Sequence, residues 1–176
     1  MENRYRQFKG HKIDKVEMVY ITPDSMEKNL FTVEHIVFSE DSDSWSFHSL
    51  SKDLVQVDID RMKGLHVSFK WKDQGWGNHK GRVAVKAMNG TDEVFQINDW
   101  SVAPHEKETV SVMYDKDHYL VKNLVAGFRF ELWYIVGGGG GHSLEVEDFS
   151  VNILSAEGNK CDNVYSRYPN LVFTSM

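Results

Sequence analysis

The sequence predicts an all-β protein, an antiparallel two-sheet β-sandwich of jelly-roll type. Apolar residues recur with period two along most of the chain. No long stretch keeps a helical i, i+3, i+4, i+7 stripe. Many short alternating runs with turn residues between them are the pattern of a sandwich or barrel.

Residues 1–15 read as an N-terminal tail and 16–176 as a single sandwich domain. Strands are expected at 16–21 and 32–38, with a helical piece of about two turns at 23–29 between them. Val55, Val57 and Ile59 alternate with Gln56, Asp58 and Asp60, which predicts a strand. Leu65, Val67, Phe69 and Trp71 oppose His66, Ser68 and Lys70. Val83, Val85 and Ala87 oppose Arg82, Lys86 and Met88, and Phe128, Phe130 and Leu132 alternate with Arg129 and Glu131. Each run places its apolar side chains on one face, as antiparallel sheets with one wet side require. Further strands are expected at 93–97 and 109–114.

Two local features refine the topology. Asn89-Gly90 supplies the positive φ angles of a tight hairpin. The same residues begin an Asn-Gly-Thr sequon, but no secretory leader is expected, so the turn reading is preferred. In 144–154, Leu144 and Val146 have one parity while Phe149, Val151 and Ile153 have the other. A β-bulge at Glu147-Asp148 reconciles the two, because a one-residue slip would expose half of the strand.

Composition bounds the function. The 176 residues are 41% hydrophobic and 12% aromatic, which supports a packed core rather than disorder. The formal charge of −6 argues against nucleic acid, whose binders carry a basic face. No apolar run approaches membrane-spanning length, so no membrane association is expected. Cys161 is the one cysteine, and no signal peptide is evident at the start, so a reducing cytoplasm is the expected location.

Two loops stand out. Residues 72–81 include Asp73, Trp76, Asn78 and His79 among three glycines, in a connection much longer than a hairpin needs. An aromatic face with planar amides and carboxylates suits the C–H face and the hydroxyls of a sugar. A loop anchor built on Trp76 is the competing structural role. The glycine run 137–141, followed by His142, invites a nucleotide reading. That reading fails on context, since a strand-like segment follows where a helix is required, and Lys-Ser/Thr is missing. A hairpin tip between two strands is the simpler reading, and a backbone approach site with His142 at its edge is the alternative.

No cofactor is expected. Asp41, Asp43 and Asp148 are weak calcium candidates through their oxygen ligands, without the pattern of an EF-hand. The histidines show no zinc spacing, and no nucleophile elbow occurs, so the chain reads as non-catalytic.

The run Phe128-Arg129-Phe130-Glu131-Leu132-Trp133-Tyr134, the glycines, and then Glu147-Asp148-Phe149-Ser150-Val151 resemble the closing strands of galactose-binding-domain-like sandwiches. Carbohydrate-binding modules and the sugar-binding domain of F-box proteins belong to that group. The resemblance implies a jelly roll with ligands held by loops at one end. The expected function is lectin-like binding of a carbohydrate or glycoconjugate by Asp73, Trp76, Asn78, His79 and His142. The alternative is a protein-interaction or homo-oligomeric assembly domain anchored by Trp45, Trp76, Trp100 and Trp133. A third possibility is an enzyme acting on polysaccharide.

Overall fold

The computed structural model describes residues 25–39 and 42–156. The described elements are β1 (Ser25–Phe38), β2 (Ser46–Leu50), α1 (Gln56–Arg61), β3 (Met62–Asp73), β4 (Arg82–Asn89), β5 (Asp92–Ile97), β6 (Glu108–Asp115), α2 (Tyr119–Lys122), β7 (Phe128–Ile135) and β8 (Leu144–Ala156). They form two four-stranded antiparallel sheets, ordered β1-β8-β3-β6 and β2-β7-β4-β5. This is the strand order of an eight-stranded jelly roll: the alternation predicts the sandwich, and the resemblance implies the jelly roll. Among the described residues, no helix is long and apolar enough to cross a membrane.

The core lies between the sheets. Leu65, Val67, Phe69 and Trp71 of β3 are buried, while Lys70 on the opposite face is exposed. Val83, Val85 and Ala87 of β4 and Phe130 and Leu132 of β7 join the same core from the second sheet. Burial of such side chains stabilises the fold by about 25 cal/mol per Å² removed from water.

The predicted bulge is present. Ser68 pairs with Ser150 and Lys70 with Glu147, so Phe69 alone faces Asp148 and Phe149. Asp148 takes the extra position with φ 51°. β1 shifts parity alongside: Phe31 and Val33 are half-buried, Glu34 and His35 are exposed, and Phe38 is buried. β3 needs no such change, because its apolar residues keep one parity throughout.

Several expectations are corrected. Residues 25–29 belong to β1 and are not helical. Pairing with β8, from Ser25↔Ala156 to Phe38↔Leu144, overrides the weak helical pattern of a short segment. The run Val55-Val57-Ile59 is not a strand but enters α1, with Val55 and Val57 exposed. Asp58 explains the change: its Oδ2 accepts from the Val55 N–H at 3.3 Å, and Lys28 neutralises its other oxygen. An acceptor three residues into a helix satisfies a donor left over at its start. The hairpin between β4 and β5 is tight, but Asn89 pairs with Asp92, so Gly90 and Thr91 form the turn. Gly90 has φ 61° at the first turn position, which is the type II′ arrangement. The expected strand at 16–21 lies outside the described residues.

The glycine run is not a hairpin tip. It joins β7 to β8, which lie in different sheets. The connections β1–β2, β3–β4 and β5–β6 also cross between sheets. Register brings these crossings to one end: Phe38 and Asp73 both pair with Leu144, while Ser46 pairs with Tyr134 and Arg82 with Ile135.

Near that end, the outer face of β8 carries a charge cluster. Glu145 accepts from Lys107 at 2.9 Å and meets Lys72 at 3.0 Å. Chiefly through Lys107, and against some desolvation, its carboxyl is held down to about 2 from 4.5. A depressed carboxylate adds stability above its ordinary value and loses it as pH falls through the folded value. Acid titration followed by thermal melting should therefore show a loss between pH 4.5 and about 2. Lys107→Gln should flatten that loss, a small effect because solvent screens the pair.

Candidate functional site

The β3–β4, β5–β6 and β7–β8 connections meet at this end, and backbone bonds fasten the first two. The Asp73 N–H donates to the Pro104 carbonyl at 2.8 Å, and the Ala103 N–H donates to the Gly81 carbonyl at 2.7 Å. Residues 74–81 thus lie against 98–107 at both of their ends.

Gln74 links the β3–β4 loop to the glycine run. Its Nε2 donates to the Trp76 carbonyl at 2.5 Å and to the Asn78 carbonyl at 3.4 Å. Its Oε1 accepts from the Ser143 N–H at 3.3 Å. Lys80 adds a second link by donating through Nζ to the Gly138 carbonyl. The two loops singled out in the sequence are therefore in direct contact.

Trp76 lies on this junction with 59% of its surface exposed. Its ring runs nearly parallel to the His142 ring, at 18° and 6.3 Å between centroids. Gly141 is close enough that a Cβ there would come within 3.1 Å of the indole. Asn78 and His79 are exposed on the same loop as Trp76. Trp76 and His142 are thus neighbours, with Asn78 and His79 on the loop that carries Trp76.

Asp73 is placed differently from the expectation. Its side chain is 0% exposed, so it does not reach a surface hydroxyl as proposed from the sequence. Its Oδ1 accepts from the Gly75 N–H at 2.9 Å and bonds His105 Nδ1 at 2.7 Å. A carboxylate that accepts a backbone N–H two residues ahead closes an Asx turn, which is why Asp at this position folds inward. Its Oδ2 is buried without a hydrogen-bond partner. His79 and His105 approach each other at 3.8 Å between ring centroids.

The calcium candidates are separated. Asp43 accepts from the Gly138 N–H at 2.6 Å, and Asp148 holds Lys70 at 2.8 Å on an exposed sheet face. Asp41 lies outside the described residues. The expected interface tryptophans are also divided. Trp100 packs on the core and donates to the Val83 carbonyl at 2.7 Å, while Trp133 donates to Glu131 and lies under Lys86. Trp45 is half-buried, so Trp76 alone of the four is exposed.

Sequence reasoning missed Gln74 and His105. Gln74 lies inside the loop already singled out, but nothing in its type shows that it braces the backbone. His105 is 32 positions from Asp73, and only the return of β6 alongside β3 brings it back.

No family model matches the chain, and no curated protein matches it. A solved structure described as "CBM4 structure and function" aligns with 76% of this chain and 90% of its own, at 13% identity and a TM-score of 0.40.

Proposed function

We propose that this chain is a non-catalytic ligand-binding module whose ligand is a carbohydrate, held at the loop end by Trp76 and the residues beside it. One observation carries the reading: an exposed tryptophan stands on a loop that is already braced. Gln74 bonds the carbonyls of Trp76 itself and of Asn78, and Gly141 and His142 support one flank. A large aromatic left in water on a rigid support is ready to stack against an apolar face with little ordering cost. Asn78 and His79 on the same loop supply donors and acceptors for hydroxyls, and His142 lies at the edge. Asp73 supports the loop from beneath.

The experiment is a glycan titration of the full chain, followed by Trp fluorescence and calorimetry. Trp76→Ala should weaken binding by roughly tenfold to a hundredfold, about 1.4–2.8 kcal/mol. Its melting temperature should stay near that of the parent, because the side chain is exposed. A broad panel with no binding at millimolar sugar sinks the reading. Light scattering on the same samples tests assembly, the alternative favoured by exposed Phe47 and Leu50 on edge strand β2.

A further inference from the structure

We propose that Asp73, His79 and His105 bind a divalent transition-metal ion of the zinc type, at a site that adjoins the proposed sugar site and shares His79 with it, and whose test needs no sugar. Each residue offers one ligand atom, and the three atoms lie within 4.8 Å of one another. They come from three places: the last position of β3, the β3–β4 loop and the β5–β6 loop.

The buried carboxylate is the decisive feature. Oδ1 of Asp73 is fully used by the Gly75 N–H and His105, yet Oδ2 has no partner although the side chain is closed to water. Leaving a buried carboxylate oxygen unpaired is costly, and a cation beside it removes that cost. A latch between β3 and the 98–107 loop explains Oδ1 alone. It explains neither Oδ2 nor the approach of a second imidazole to 3.8 Å.

The donor set selects the ion. Two imidazoles and one carboxylate, with a fourth position open to water or ligand, suit zinc and its neighbours. Calcium and magnesium prefer oxygen donors throughout. Zinc bonds of about 2.0–2.2 Å place tetrahedral donors roughly 3.3–3.6 Å apart, so the three atoms need only a small closure. Exposed His79 can supply it by side-chain rotation, while the Asp73–His105 bond holds the other two donors in place. Three lysines of this end are engaged elsewhere: Lys72 and Lys107 with Glu145, and Lys80 with the Gly138 carbonyl. Among the described residues, His35, Glu145 and Glu147 form the other three-ligand cluster, and Lys72 and Lys107 neutralise its carboxylates.

The test is calorimetry with Zn²⁺ on chelator-stripped full chain at neutral pH, with Ca²⁺ as comparison. One equivalent of Zn²⁺ should bind, raise the melting temperature and outcompete Ca²⁺. His79→Ala and His105→Ala should each weaken Zn²⁺ binding by about 10–100-fold or more, while His35→Ala leaves it unchanged. His79 is exposed, so its variant should fold like the parent without metal. No zinc uptake overturns the proposal. So does uptake that survives in both His79→Ala and His105→Ala, or a preference for Ca²⁺.

Discussion

Replacing Phe69 by Ala should cost about 3–5 kcal/mol, read as a lowered midpoint in urea with little change in slope. Phe69 is 1% exposed at the middle of β3, which is flanked by β8 and β6. Its ring meets Trp100 at 5.1 Å, Trp71 at 5.4 Å and Phe149 at 5.8 Å. Phe149 in turn meets Phe31 of β1 at 5.4 Å. Truncation removes the transfer energy of a phenyl ring and leaves a cavity that rigid strands cannot close. Against a total stability of about 5–15 kcal/mol, that change leaves a marginal fold. Trp100 would also lose a wall, and Trp100 lies in the connection that carries His105. Val57→Ala, at a position 47% exposed, is the control and should stay within about 0.5 kcal/mol. A Phe69→Ala loss below about 1 kcal/mol would mean that this aromatic cluster does not hold the sheets together.

The strands were legible because burial on one face imposes a period that sequence displays directly. β3 shows it without interruption, and β8 shows it with a break that located Asp148 as the bulge. The misread places are those where something other than face burial decides. At 55–59 the alternation is real, but Val55 and Val57 face water, and the capping carboxylate of Asp58 turns the chain into α1. At 25–29 the decisive partner is β8, more than a hundred positions away. The site divides the same way. Trp76 and His142 stand out by composition alone, and the structure makes them neighbours. Whether Asp73 points outward or inward depends on the Gly75 N–H and on His105, and no local pattern encodes the second. The partners of the glycine run are likewise invisible in sequence, because β7 and β8 look like a hairpin until their sheets are known.

Those partners make Gly137→Ala the most informative change at the loop end. Gly137 has φ 108°, a conformation L side chains rarely adopt. Its N–H donates to the Ser42 carbonyl at 2.9 Å, which fixes its position. A Cβ added there would come within 2.4 Å of Lys80 Cβ, an atom close to the main chain that no rotamer change can move. The β3–β4 loop must therefore shift, and the Lys80 bond to the Gly138 carbonyl is strained with it. Steric and dihedral costs together should remove about 2–4 kcal/mol and lower the melting temperature by roughly 5–15 °C. Gly140 separates the two causes, since it has φ 79° but nothing within 4 Å of an added Cβ. Gly140→Ala should lose only about 1 kcal/mol, the conformational part. Lys80→Gly in the Gly137→Ala background should recover part of the loss by removing the clashing atom, although Lys80→Gly alone destabilises. If Gly137→Ala and Gly140→Ala differ by less than about 0.5 kcal/mol, the glycines serve turning alone and the close packing of the two loops contributes nothing to stability.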